Sequence, residues 1–158
     1  MAKFMMGELV GVEPITARLG AGSGTANNVT TAEIGKPVKL VAESRYNLSA
    51  VGDQIEGFVV AVESATLDGY SIGSVRQKGY KKVTFDGLQG TPGTGVLAIG
   101  DYVVTGTVVA KDTALSGPPK VCKATTQTGM YHAWRVVSLG TAGTGAVGTT
   151  GVIERVTA

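Results

Sequence analysis

The chain reads as an all-β protein: an antiparallel barrel or sandwich of about eight strands, with an extended N-terminal arm. Three observations lead there. Glycine supplies 24 of 158 residues, about twice the ~7% usual in proteins, and most glycines stand between short apolar runs. Those runs are rich in Val, Thr and aromatic side chains, which pack well on a pleated surface. No segment of ten or more residues holds a helical period.

Taken in order, residues 1 to 32 lack the pattern of a core. Phe4, Met5, Met6, Leu9, Val10 and Val12 show no strand or helix period, and Pro14 and a loose glycine-rich stretch follow. This segment is expected to be an extended arm. Phe4, Met5 and Met6 would give it adaptable apolar contacts on a neighbouring subunit. The competing expectation is a terminus that folds back on its own domain.

The folded domain is expected over 33–158. Its first strand is Ile34 to Val41, with Pro37 near the strand start because it has no amide hydrogen to donate. Residues 45–53 are polar and expected to turn. The stretch 55–87 carries three strand-like runs, 58–62, 70–76 and 80–85. Asp68-Gly69 and Gly79 separate them and Asp86-Gly87 closes the unit, so it reads as a β-meander. A loop over 88–95 and a short run over 96–99 come next. The strand expected over Tyr102 to Val109 contains Gly106, which signals a bulge or a close backbone approach. A surface loop over 111–120 precedes a short strand at 121–124 and an aromatic-rich strand at 130–138. Five glycines between 140 and 151 suggest a flexible loop or hairpin tip, and 152–156 ends the domain as a strand. No fixed-period repeat is visible.

Chemistry is sparse. His132 is the single histidine and Cys122 the single cysteine. One of each cannot build a typical closed zinc site, and nothing around them suggests a nucleophilic arrangement. His132 reads as a strand histidine and Cys122 as a small buried residue. Asp68 and Asp86 are explained as turn residues by the glycines that follow them. Gly35-Lys36 is followed by Pro37, which does not fit a phosphate-binding loop. No catalytic residue, metal ligand or cofactor is expected. The first ten residues do not match a secretory signal, and no apolar run approaches the ~20 residues of a membrane helix. Asn28 and Asn47 begin glycosylation-like triplets that read as chance matches.

Charged residues make up 16% of the chain, against ~25% usually. A surface so weakly charged is poorly protected against association, which suits a protein that works docked in an assembly. The net charge of +2 is too small to argue for nucleic acid. One local cluster stands out: Arg76, Lys78, Lys81 and Lys82 surround Gly79-Tyr80, at what reads as a hairpin tip. Such a tip suits an acidic protein surface, a phosphate backbone, or simply water along a blunted strand edge.

The order of elements resembles the small β-rich capsid decoration, or cement, proteins of tailed bacteriophages. The residues that carry the resemblance are Gly35-Lys-Pro-Val-Lys-Leu-Val, Asp53-Gln-Ile-Glu-Gly-Phe-Val-Val-Ala-Val, Ile99-Gly-Asp-Tyr-Val-Val, Trp134-Arg-Val-Val-Ser and Val152-Ile-Glu-Arg-Val. They span roughly residues 34 to 156 and leave the first 32 unmatched. The resemblance implies a structural, non-enzymatic virion protein on the outer surface of a capsid. It would bridge major capsid proteins and associate with itself as a dimer or trimer. It implies no cofactor, no membrane and no nucleic-acid partner. Alternatives are another phage part, in tail, fibre or baseplate, and a small nucleic-acid-binding barrel. The resemblance transfers no functional residues. Candidate contacts come from residue type: Phe4, Met5, Met6, Tyr131 and Trp134 as apolar anchors, and Arg76, Lys78, Tyr80, Lys81 and Lys82 as the polar contact. For Tyr131 and Trp134 ordinary core packing is the favoured role.

Overall fold

The computed structural model of the chain describes residues 14–20, 28–43, 45–63, 71–126 and 132–157. They are all-β, with two single 3₁₀ turns at Thr31–Glu33 and Gly140–Ala142. Thirteen strand segments run in chain order: β1 (Ile15–Leu19), β2 (Pro37–Ala42), β3 (Arg45–Leu48), β4 (Gly57–Glu63), β5 (Ser71–Arg76), β6 (Tyr80–Leu88), β7 (Thr91–Pro92), β8 (Val96–Leu97), β9 (Tyr102–Thr105), β10 (Lys120–Lys123), β11 (His132–Ser138), β12 (Gly145–Ala146) and β13 (Thr150–Thr157).

The first five strands close a barrel in the order β1-β3-β2-β4-β5, with β5 returning to β1. Five later strands pair in the ring β6-β10-β9-β11-β13, with β13 returning to β6. β7 extends β6, and β8 pairs with β12. The two rings have one topology. In each, the first strand runs parallel to the third: Leu19 stands opposite Tyr46 in one and Phe85 opposite Val121 in the other. In each, the fourth and fifth strands pair antiparallel with a bulge in the fourth, after Val59 and after Val136.

The match extends to single hydrogen bonds. Gly35 N donates to Val59 O at 2.8 Å, and Gly100 N to Val136 O at 2.8 Å. Val59 N donates back to Lys36 O at 3.0 Å, and Val136 N to Asp101 O at 2.9 Å. Gly35 and Gly100 both hold φ near +90° (+88° and +92°), a conformation that glycine enters without steric cost. Gly73 and Gly151 mark a second shared point. A Cβ on Gly73 would run into Leu19 and the Ala61 carbonyl, and one on Gly151 into Phe85 and the Ser138 carbonyl. Five pairs of buried residues are equivalent: Leu19 and Phe85, Val38 and Val103, Tyr46 and Val121, Val59 and Val136, Val75 and Ile153.

The two cores meet at β4, a strand of the first barrel. Successive side chains of a strand point to opposite faces, and β4 uses this to serve both cores. Val59 packs with Leu19, Val38, Tyr46 and Val75 in the first barrel. Phe58 packs with Phe85, Trp134 and Ile153 in the second. Phe58 meets Trp134 edge to face, with centroids 5.1 Å apart and planes at 79°. Ile55, just before β4, also enters the second core. The Arg155 guanidinium on β13 donates to the Glu56 backbone carbonyl and, at 3.2 Å, to its carboxylate. At the position equivalent to Trp134 the first barrel has Gly57, where a Cβ would stand 2.5 Å from Val75 Cγ1.

Several expectations change. The domain is two barrels, and the first begins with β1 at Ile15, inside the span read as an arm. Residues 28–32 are placed as well, with Val29 buried in the first core, and residues 1–13 and 21–27 lie outside the described set. Residues 45–48, read as a turn, form β3, because Tyr46 is buried against Leu19 and Val38. The meander breaks at its second turn. β4 and β5 form a hairpin, whereas β6 pairs with β7, β10 and β13 and never with β5. Asp86 lies within β6, 3% exposed, and accepts a 2.7 Å hydrogen bond from Thr107 N. The strand expected over 102–109 stops at Thr105. At Gly106 the close approach is real: a Cβ there would stand 3.0 Å from the backbone of Lys120 and Val121. Residues 106–119 then leave as a loop of fourteen residues between β9 and β10. The equivalent connection in the first barrel, β2 to β3, takes two.

Candidate functional site

The basic segment is the junction between the barrels. Three residues, Gln77 to Gly79, carry the chain from the last strand of the first barrel to the first strand of the second. The Gln77 side-chain amide donates to the Tyr46 hydroxyl. Gly79 turns the backbone with φ +83°. Strand alternation then divides the cations. In β6, Lys81 precedes the inward-facing Val83 and Phe85, whereas Tyr80 and Lys82 point outward.

Arg76 and Lys81 come together. They line one shallow depression with the Ile34-Gly35 turn and Phe58, Val59 and Val60 of β4. The Lys81 ammonium lies 5.2 Å from the centroid of the Phe58 ring, over its face. Burial, and after it the Arg76 charge, pull the Lys81 ammonium below the ordinary lysine range. Arg76 Nε is buried without a hydrogen-bond partner. Ile34 is 44% exposed and Val60 37%. Two like charges and two bare aliphatic side chains therefore share one site. An acidic group from outside would relieve the charge repulsion, and apolar atoms beside it would cover the aliphatic pair.

Val60 is exposed because of its place in the bulge. The bulge after Val59 adds a residue to the ladder and turns Val60 outward beside the Ile34-Gly35 turn. The second barrel repeats the device with Ile99, 66% exposed, and the bulge residue Val137 beside Gly100. Val96, 60% exposed, and Val147, 40% exposed, add to the bare apolar surface of that barrel. Sequence reasoning missed Ile34, Val60 and Ile99. Their signal was present as Ile-Gly-x-x-Val, found at both 34–38 and 99–103.

The other candidates disperse. Lys78 is exposed and lines a different depression, with Tyr46, Glu56 and Arg155. Tyr80, 49% exposed, and Lys82 lie on the outer face of the second barrel, opposite Glu154 and Val152 of β13. Trp134 is corrected from surface anchor to core. It is fully buried, and its Nε1–H has no hydrogen-bond partner. Phe4, Met5, Met6 and Tyr131 lie outside the described residues. Cys122 is buried, and its thiol is pushed up to about 11 by burial and then by the nearby Asp86 charge, with Lys120 pulling the other way. Such a thiol is a packing residue rather than a nucleophile.

Among the described residues no group of three or more His, Cys, Asp or Glu side chains stands close enough to hold a metal. No helix among them is long and apolar enough to cross a membrane. No protein-family model, curated protein sequence or solved structure matches the chain.

Proposed function

We propose that this protein is a structural virion component that docks on the outer surface of a phage capsid, bridges neighbouring major capsid proteins and stabilises the shell. The observation that carries the reading is the duplication of the barrel. One chain carries an exposed Ile beside a bulged Val twice, at Ile34 with exposed Val60 and at Ile99 with half-buried Val137. A partner that repeats one surface many times can engage both copies. The second contact then becomes intramolecular, and avidity can exceed either single affinity by roughly 10²–10⁴. A closed shell of identical subunits is such a partner. The packing of Ile55 and Phe58 into the second core and the Arg155–Glu56 contact support a bridging role, because a bridge must resist being pulled apart at its own middle.

Arg76 and Lys81 supply the electrostatic part of the contact at the first barrel. The test is co-sedimentation of the purified protein with undecorated shells of the encoding phage, at low and moderate salt. Saturable binding is expected. The double variant Arg76→Glu/Lys81→Glu should weaken binding by about tenfold or more, mostly through the on-rate. Absence of the intact protein from the shell pellet at every salt concentration would remove the proposal.

A further inference from the structure

The loop that distinguishes the second barrel from the first builds a cavity. Residues 106–119 fold back toward the first barrel and enclose about 260 Å³ against Lys36, Pro37, Leu48 and Ser49. Loops of this length inside compact domains are uncommon and tend to be functional. The loop is held by Glu33, a fully buried carboxylate. Glu33 accepts from Thr30 N at 2.7 Å, Thr30 Oγ1 at 2.7 Å and Asp112 N at 2.5 Å, the last from the loop itself. Asp112 takes φ +64° to make that contact.

The walls are mostly apolar, from Leu48, Val108, Val109 and Leu115 among others. The hydroxyls of Ser49, Thr105 and Thr107 interrupt them. Ser49 is 5% exposed and Thr105 1% exposed; both line the cavity, and both hydroxyl oxygens are buried without a hydrogen-bond partner. A buried polar group left unpaired is costly, so a pair of them in one cavity points to a bound molecule that completes them. Lys36, 4% exposed, also lines the cavity. Its ammonium donates to Ala110 O at 2.9 Å and to Glu33 Oε1 at 3.4 Å. An ammonium has three donors, so one remains. Lys111 and Lys120 stand among the lining residues, and no carboxylate does.

We infer that this cavity is a binding site for a small monocarboxylate with a short apolar body. The carboxylate oxygens would accept from the Ser49 and Thr105 hydroxyls and the spare Lys36 donor, and the apolar body would lie against Leu48, Val109 and Leu115. The volume is just below the ~300–1,000 Å³ of sites for drug-sized ligands, which sets the size class. A dianion such as phosphate fits poorly, because Lys36 is already neutralised in part by Glu33 and the walls are mostly apolar. The cavity shares no lining residue with the Ile34–Val60 depression, so it stands apart from the docking proposal.

Calorimetric titration of the intact protein with hexanoate tests the site, with hexylamine as the opposite-charge control. Hexanoate should bind one to one and hexylamine should not. Ser49→Ala and Thr105→Val should each weaken hexanoate by about tenfold, as expected for a hydrogen bond to a charged group. Thr105→Val should leave the melting temperature of the unliganded protein unchanged or higher, because it removes an unpaired hydroxyl. Val109→Trp should fill the cavity and abolish binding in a protein whose circular dichroism is unaltered. No saturable hexanoate binding up to about 10 mM, the range open to so small a ligand, would overturn the site. Equal binding of hexylamine, or hexanoate binding unchanged in the Ser49→Ala/Thr105→Val pair, would overturn its assigned chemistry.

Discussion

Val59→Ala and Phe58→Ala are adjacent substitutions on one strand, and they reach different cores. Phe58 lies among Phe85, Trp134 and Ile153 of the second barrel, and Val59 among Leu19, Val38 and Val75 of the first. Truncating a buried Phe to Ala costs about 3–5 kcal/mol. Here the loss includes the edge-to-face contact with Trp134 and the Lys81 contact on the ring face. Val59→Ala removes two methyl groups and should cost about 2 kcal/mol. With a urea m-value of about 2 kcal/mol/M, the midpoints should fall by about 2 M and about 1 M. Trp134 is the only tryptophan and it sits in the second core, so its fluorescence reports that barrel alone. Far-UV circular dichroism reports both. Because β4 lines the first core and sends Phe58 into the second, the two signals should move together in both variants. Phe58→Leu, with a smaller cost of about 1 kcal/mol, keeps the comparison open if Phe58→Ala fails to fold. If Val59→Ala leaves the fluorescence midpoint at its wild-type value while the circular dichroism transition splits, the barrels are independent and β4 does not couple the two cores.

The remaining predictions concern the buried ionisable groups and the shared glycines. Burial raises the Glu33 pKa, but hydrogen bonds from Thr30 and Asp112 and the Lys36 charge outweigh it, and the group stays below its ordinary value of 4.5. A carboxylate depressed on folding contributes stability that is full above the unfolded value and fades as pH falls through the folded one. The melting temperature of the wild type should therefore drop faster below about pH 4.5 than that of Glu33→Gln, which should already be lower at pH 7; parallel curves would refute this. Cys122, with its thiol pushed up to about 11, should not react with Ellman's reagent at pH 8 in the native protein and should react fully in guanidinium; rapid native labelling would contradict its burial. Gly73→Ala and Gly151→Ala should both lower the urea midpoint sharply, by about 1 M or more for an overpacked site. A neutral outcome at either position would break the equivalence of the two barrels.

The all-β class was legible in the sequence because glycine-punctuated alternation leaves few other options. The number of barrels was not. Period-2 alternation is the same for a strand of either barrel, so nothing local shows that β6 leaves β5 for new partners. The duplication left traces in Ile34-Gly35-x-x-Val38 and Ile99-Gly100-x-x-Val103, and in Val59-Val60-Ala61 and Val136-Val137-Ser138. A search for one fixed period misses them. The Ile-Gly motifs stand 65 residues apart (34 to 99) and the glycines 78 apart (73 to 151), chiefly because the 106–119 loop lengthens the second unit. Arg76 and Lys81 were found as cations, but their meeting with Ile34 and Val60 depends on a bulge and a long-range turn contact. Trp134, offered as a surface anchor beside a favoured core role, proved to be core: alternation alone does not say which face of β11 meets solvent.

The bridging claim is tested most directly by the heat stability of filled shells. If the proposed docking holds, DNA-filled phage capsids lacking this protein should release DNA at a lower temperature than the same capsids after the purified protein is added. A release temperature unchanged by added protein that does bind the shell would contradict the account.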